Sequence, residues 1–457
     1  MKPSARSILS TLSLLMASMN AAAKPPNVLV VIADDIGTGE LRAFRAGSSP
    51  ARTPVLDSLI ARGLTFTSAY SNPTCSPTRA EIMTGRYPIR HRVGSVIRKK
   101  NGSWQLPDDE ITLPERLGPA GYRTAAFGKW HLAHHGDDRA PNDAGFDHYE
   151  GTPNGVSDYF AFVETRNGAR SSEPVTTYNT TEIVNDALAW LGDSDSPESP
   201  PWFVWLAFNA PHAAVQRVGQ VFQSPPNELL SEPLPDDPTA RQRYEGSIEA
   251  MDTELGRISE AIDLERTVLI FIGDNGVPYG VSAAPASSSK IKKTPFEGGI
   301  HVPLVVVGAG VAHGRCGALV KVADLFSTIL DIADAAAERP DDRPIDAVSL
   351  TPYLSDPDHA PLRDHIVAEM FEPNGPAPSE RHSRVVRYRQ WKLVSARELA
   401  PFRKSSGEMF FDLDADPEER RDLLRRPKRM SPEQRAALTR CRSLLEEHLD
   451  KAAPREY

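Results

Sequence analysis

Asn27-Val28-Leu29-Val30-Val31-Ile32-Ala33-Asp34-Asp35 is an unbroken apolar, largely β-branched run that stops at two carboxylates. A run of this kind, with no polar alternation, suits a strand buried on both faces, as in a parallel sheet covered by helices. Three further segments end in the same way. Tyr122 to Phe127 leads into Gly128-Lys129-Trp130-His131, Trp202 to Phe208 into Asn209-Ala210-Pro211-His212, and Thr267 to Ile272 into Gly273-Asp274-Asn275. Helical patterns fall between these runs, over Thr53 to Arg62, Thr112 to Leu117, Thr181 to Leu191 and Arg243 to Ile262. Strands alternating with helices predict an α/β layered domain. In open α/β sheets ligand groups gather at the carboxyl ends of the strands, so the four polar endings predict one shared site assembled from distant segments.

Beyond Leu354 the pattern changes. His365 to Phe371, Arg384 to Arg389, Trp391 to Val394 and Met409 to Leu413 are short strand-like runs, and Pro432 to Leu449 is amphipathic with a helical period. Neighbouring strands with a closing helix predict a small antiparallel sheet capped by that helix. The boundary is placed near Pro361, giving a main domain over 24–360 and a smaller one over 361–457. Pro-rich stretches at Ser194 to Pro201, Pro225 to Pro238 and Arg339 to Pro344 read as surface loops.

The chain has 457 residues, enough for one large core plus a smaller appended one. Residues 1–23 read as a secretory signal: Lys2 and Arg6 form a basic start, Ile8 to Met19 an apolar run, and Ala21-Ala22-Ala23 a small-residue cleavage site. The apolar run is too short and too serine-interrupted to span a bilayer, and no membrane span is expected in the mature chain. Export predicts a secreted or periplasmic protein in an oxidising compartment, yet there are only three cysteines, Cys75, Cys316 and Cys441. Spacing leaves open whether the last two pair. The formal net charge of -9 argues against nucleic acid as a partner, and an anionic substrate then needs a local basic site.

Asp34, Asp35, Asp274 and Asn275 offer only oxygen ligands. Hard cations take such ligands, and calcium accepts this mixture of carboxylates and an amide more readily than zinc. Taken singly, either pair also reads as loop-start residues capping helices. In Pro73-Thr74-Cys75-Ser76-Pro77-Thr78-Arg79-Ala80-Glu81-Ile82-Met83-Thr84-Gly85, Pro77 suits a first helical turn, where its missing N–H costs nothing. Cys75 then stands at the positive end of the helix dipole, where an anion is favoured. A cysteine in that place also serves as a small buried hydrophobe.

The stretch Cys75-Ser76-Pro77-Thr78-Arg79 resembles the maturation motif of the formylglycine-dependent sulfatases, in which C-x-P-x-R directs oxidation of the cysteine to an aldehyde. Gly121-Tyr122-Arg123-Thr124, running on to Gly128-Lys129-Trp130-His131, is similar to that family's second signature, with Phe127 bulkier than its usual residue. His212 lies where the family has a sulfate-binding histidine. Lys292, before Phe296-Glu297-Gly298-Gly299, lies where it has its second active-site lysine, with Lys293 one register away. Met409-Phe410-Phe411-Asp412-Leu413 and the following Asp416-Pro417-Glu418-Glu419 look like the family's closing strand and loop. The resemblance covers nearly the whole mature chain and implies an alkaline phosphatase-like fold, a large sheet sandwiched by helices followed by a small antiparallel-sheet domain.

It also implies a hydrolysis of sulfate esters. The formylglycine derived from Cys75 would be the nucleophile in its hydrated form, and Ca2+ would be held by Asp34, Asp35, Asp274, Asn275 and residue 75. Arg79 would steady the diol, Lys129, His212 and Lys292 would bind sulfate, Lys292 or His212 would supply the leaving group's proton, and His131 would act as base in sulfate expulsion. The implied partners are a formylglycine-generating maturation enzyme and a sulfated small molecule or glycan. Arg86, Arg90, Arg92, Arg98, Lys99 and Lys100 form a stretch without an acidic residue, which reads either as a guide for a polyanion or as a solvated, partly structural loop. Phosphoester hydrolysis and silent glycan binding are the competing readings. Asn179-Thr180-Thr181 and Asn101-Gly102-Ser103 match the glycosylation sequon.

Overall fold

A computed structural model describes residues 24–450 apart from 45–49, 99–103, 155–157, 193–197, 217–218, 282–289, 336–342, 377–380 and 401–405. The expected signal segment, the sequon at Asn101, and Lys99 and Lys100 lie outside the described residues. Thr267–Gly273, Asn27–Ala33, Trp202–Ala207, Arg123–Lys129 and His148–Thr152 lie side by side and run parallel. Leu304–Gly308 and Leu64–Phe66 extend this ten-stranded sheet on one side, with Gly314–Cys316 at the edge, and the hairpin of Thr165–Arg166 and Ala169–Arg170 closes the other.

All seven residues of Asn27–Ala33 are buried. Val28, Val30 and Ile32 join a core with Phe203 and Trp205 on one face, while Leu29, Val31 and Ala33 join a second core with Val204 and Leu206 on the other. That is the cause of the unbroken apolar run: alternate side chains point to opposite faces, and both faces are covered. The first core takes Cys75–Thr84, Leu113–Leu117 and Asp324–Ile332; the second takes Pro54–Arg62, Asn179–Gly192 and Ala240–Ala261. Helix starts carry their own signals. Thr112 with Glu115, and Thr239 with Gln242, form capping boxes that satisfy otherwise orphaned N–H groups.

Register places the site. Ala33 pairs with Gly273, Ile32 with Ala207, and Ala207 in turn with Gly128, so the parallel strands end level. The first polar residues past each end therefore share one rim of the sheet.

His365–Glu372, Arg381–Tyr388, Trp391–Arg397 and Ser406–Asp412 form a four-stranded antiparallel meander. The helix Pro432–Asp450 covers one face, with Leu438, Cys441 and Leu444 against Val386, Leu393 and Phe410. Ile366, Val385 and Phe411 on the other face pack on Tyr70, Phe296 and Ile300 of the main sheet's loops. Beside this contact the fully buried Lys392 pairs with Glu297 at 2.8 Å and Glu419 at 2.7 Å. Cys316 and Cys441 are buried free thiols. Among the described residues no helix is long and apolar enough to cross a membrane.

Two points that the sequence left open are decided by the structure. Arg86 Nε lies 3.1 Å from Glu110, and Arg90 grips Asp346 at 2.7 and 3.0 Å, so neither is held free to guide a polyanion. Asn179 is 1% exposed and its Oδ1 accepts from Asn209 Nδ2 at 2.8 Å, which makes it an internal brace and not a carbohydrate acceptor.

Candidate active site

Thr74 is extended, and the helix Cys75–Thr84 then starts beneath the rim with all ten residues buried. Burial on every side demands internal partners for its polar groups. Thr78 Oγ1 accepts from Asn72 N–H at 3.0 Å and donates to Thr74 O at 3.1 Å, Ser76 Oγ accepts from Ile97 N–H at 3.1 Å, and Glu81 pairs with Lys321 at 2.8 Å. Pro73 O accepts from Lys293 N–H at 2.8 Å, which ties the helix start to the segment carrying Lys292.

The carboxylates meet at this helix start. Asp35 has φ +74°, a left-handed conformation held by hydrogen bonds from Tyr244 Oη to its carbonyl at 2.7 Å and from its own N–H to Asp274 Oδ1 at 3.2 Å. Asn275 Nδ2 donates to Asp35 Oδ1 at 2.6 Å. The next residue must be glycine, since a Cβ on Gly276 would lie 1.9 Å from Gly298 O. Arg79, fully buried, directs Nε and Nη2 to Asp274 Oδ2, each at 2.9 Å, and Nη1 to Lys129 O at 2.7 Å. Lys129 pairs with Asp34, and Lys292 with Asp35. Lys292 Nζ also lies 4.0 Å from Cys75 Sγ.

His212 Nε2 is 3.7 Å from Asp35 Oδ2, while its Nδ1 faces Ala213 O at 2.7 Å, so Nδ1 carries the proton in the neutral ring. His131 sits just past the strand end with φ +61°, its N–H donating to Pro153 O at 2.8 Å and its Nδ1 buried without a partner. Lys293 has φ +68° and an exposed side chain, so the register left open by the sequence is resolved toward Lys292. Lys292→Ala is expected to lower kcat/KM for any anionic substrate at least about 100-fold, in line with removal of one charge-stabilising donor, whereas Lys293→Ala leaves it within about twofold. Steady-state kinetics on the two variants measure this.

Burial raises the cost of every charge here, and the neighbours decide the outcome. Burial opposes ionisation of Asp34, but Lys129, then His212 and Lys292, hold it well below the usual carboxylate range. Asp274 is pushed up to about 7 by burial and by the charge on Asp34, in spite of Arg79. Burial works against Lys292, yet Asp35 and Cys75 keep its pKa raised, so it is an ammonium. Burial pushes the Cys75 thiol up against the pull of Lys129 and Lys292; as a plain thiol it is a poor thiolate nucleophile. Burial, with Lys129 and Arg79 alongside, holds His131 well below its usual value, and burial lowers His212 as well. Both imidazoles are neutral and able to accept a proton.

The residues fit a hard cation. Asp34 Oδ1 and Asn275 Oδ1 are buried without hydrogen-bond partners, and ligand atoms of Asp34, Cys75 and Asp274 lie within 4.8 Å of one another. Carboxylate and amide oxygens converging beside residue 75 are the kind of ligand set a hard cation takes.

All ten residues singled out in the sequence meet at or beside this rim. Tyr244 and Arg241 were not among them. Both come from the helix Ala240–Ala261: Tyr244 braces the Asp35 carbonyl, and Arg241 ties Glu40 at 2.6 Å to Val281 O at 2.7 Å. A tyrosine and an arginine three apart on a helix carry no signal of such a role.

The family model for "Sulfatase" matches residues 26–335. The N-acetylgalactosamine-6-sulfatase of Canis lupus familiaris is 32% identical over 73% of this chain, which spans 66% of that relative's length. Arylsulfatase G of Rattus norvegicus is 28% identical over 94% of this chain and 87% of its own. The crystal structure of Ps i-CgsB in complex with k-i-k-neocarrahexaose superposes with a TM-score of 0.78 at 24% identity, covering 95% of each chain, and shares the alkaline phosphatase-like fold. With its matched domain, its relatives and its fold in agreement, the chain belongs to the sulfatases, a family of sulfuric-ester hydrolases.

Proposed function

We propose that this protein hydrolyses a sulfate ester of a glycan, with Cys75 matured to formylglycine and Ca2+ held by Asp34, Asp35, Asp274, Asn275 and residue 75. The observation that carries this reading is the position of Cys75 Sγ, 4.0 Å from Lys292 Nζ and grouped with the ligand atoms of Asp34 and Asp274. The sugar substrate is suggested by relatives named for N-acetylgalactosamine-6-sulfate. The hydrated aldehyde would bring two hydroxyls on one carbon, and the cation would favour the ionised form of the attacking one.

The side chains have distinct parts. Lys129 and Lys292 carry fixed positive charge to the sulfate oxygens, and His212 Nε2 faces the same space. Lys292, an ammonium, protonates the departing alkoxide, or His212 does so once its Nε2 has taken up a proton, and the neutral His131 accepts the proton released when sulfate leaves. Arg79 holds Asp274 and the Lys129 carbonyl in place from below. Residues 1–23 direct the chain to the periplasm or outside the cell.

Without a cation Asp274 is raised from 3.8 to about 7, so between these values the folded state binds more protons than the unfolded and stability falls as pH rises. A bound cation cancels this penalty. Calcium is therefore expected to raise the melting temperature more at pH 8 than at pH 5, as differential scanning fluorimetry with and without a chelator measures.

Coexpression with a formylglycine-generating enzyme, followed by assay of sulfate and phosphate release from sulfated glycans, aryl sulfates and phosphodiesters, tests the activity. Sulfate release from a glycan is the expected result. Predominant phosphate release, or glycan binding without turnover by fully matured protein, overturns the reading.

A further inference from the structure

The turn after the last strand of the small sheet separates its charges. Asp416 accepts the backbone N–H groups of Arg420 at 3.0 Å and Arg421 at 2.7 Å, and Asp422 Oδ1 accepts those of Phe410 at 3.1 Å and Leu424 at 2.9 Å. Glu419 is buried, paired with Lys392 and accepting the Glu297 N–H at 2.8 Å. These carboxylates are engaged in holding the backbone, Glu419 buried and Asp416 and Asp422 half-buried. The cations face outward: Arg420, Arg421, Arg425, Arg426, Lys428 and Arg429 are all exposed. Arg420 pairs with Glu418, and Arg425 reaches Asp422 only at 4.0 Å. The side chains of Arg421, Arg426 and Arg429 have no ion-pair partner among the described residues.

The arginines line a concavity of about 360 Å³ whose one carboxylate is Asp422. Arg420 also lines a second concavity of about 500 Å³, where Lys290 and Arg387 are matched by Glu40, Glu297, Glu418 and Glu419. The second, of mixed charge, reaches Gly37 and Thr38 on the loop that leaves Asp35, and Arg420 is shared by the two.

We propose that this arginine turn is a docking surface for the polymer to which the scissile sulfate belongs, a sulfated polysaccharide. The inference rests on the reading of the substrate as a sulfated glycan. A chain of net charge -9 repels polyanions at long range, and a compact cluster of unpaired cations reverses the field locally. Guanidinium forks match pairs of sulfate oxygens better than ammonium groups do. The lining has no aromatic residue to stack a base, and of its two apolar residues Met430 is buried and Leu423 half-buried, a poor anchor for a bilayer.

The test compares the full mature protein with R421E/R426E/R429E, and with R42E/R52E/R62E as an equal charge reversal at exposed arginines elsewhere. Retention on immobilised dextran sulfate at low salt is expected to fall at least about tenfold for the first variant and far less for the second, with the difference vanishing at high salt. Turnover of a small aryl sulfate and the melting temperature are expected to be unchanged. Equal loss in both variants, no loss in the first, or wild-type affinity for DNA or anionic vesicles matching that for dextran sulfate overturns the proposal. If the wild type turns over no sulfate ester, the hydrolase reading fails, and the retention data still decide the surface.

Discussion

Cys75→Ser is expected to abolish steady-state sulfate release, by on the order of 10⁴-fold or more, the scale on which loss of a nucleophile that works as part of a unit is felt. The physical reason is the count of oxygens at that carbon. A serine hydroxyl beside Lys292 can attack sulfur once, but it has no second oxygen to expel the sulfo group, and a sulfate monoester buried among Lys129, Lys292 and His212 stays put. Mass spectrometry of the variant after incubation with substrate is expected to find sulfated protein, or no reaction, with no turnover beyond one equivalent. Cys75 is 1% exposed, and the serine hydroxyl is smaller than the thiol, so folding is expected to survive the change. Normal multiple turnover by this variant would remove the aldehyde from the mechanism.

Arg79→Ala is expected to act on stability as strongly as on catalysis. The guanidinium and the carboxylate of Asp274 are both fully buried at 2.9 Å, and removing one partner of such a pair costs about 3–5 kcal/mol, because the other charge is left uncompensated. Arg79 also supports the carbonyl of Lys129, so the loss reaches the residue that faces Asp34. Without Arg79 the carboxyl of Asp274 is raised further, the folded state holds its proton over a wider range, and the variant is expected to lose more stability at pH 8 than at pH 5. Calcium, by returning positive charge to the same carboxylates, is expected to recover part of the difference. Urea unfolding of wild type and variant at both pH values, with and without calcium, measures each part. A variant as stable as wild type at pH 8 without calcium would show that the pair does not carry the structural role given to it.

Much of the polar rim was legible because buried parallel strands have no polar positions. Where Asn27–Ala33 and Thr267–Gly273 leave the core, the first polar residues are Asp34 and Asp274, and the exit of a strand marks the ligand end of the sheet. The Cys75 motif and the Lys129-Trp130-His131 ending are local and could be read for the same reason. The choice between Lys292 and Lys293 was not legible, since it depends on a backbone bond from Lys293 N–H to Pro73 O and on the left-handed turn that sends the two side chains apart. Tyr244 was invisible for a related reason: its contribution is one hydroxyl reaching a carbonyl 209 residues away.

The surface shows the same division more sharply. Arg86, Arg90 and the run from Arg420 to Arg429 look alike as strings of basic residues, yet the first two meet Glu110 and Asp346 while Arg421, Arg426 and Arg429 meet no carboxylate among the described residues. By itself the sequence determined the layered α/β class, the small antiparallel sheet with its helix, and the chemistry of the strand ends, because hydrophobic period and short motifs are local properties of the chain. Only the tertiary structure decided which lysine faces Cys75, which arginines are spent on ion pairs and which asparagine is buried. Those outcomes turn on partners far apart in the chain, whose meeting depends on the packing of the whole sheet.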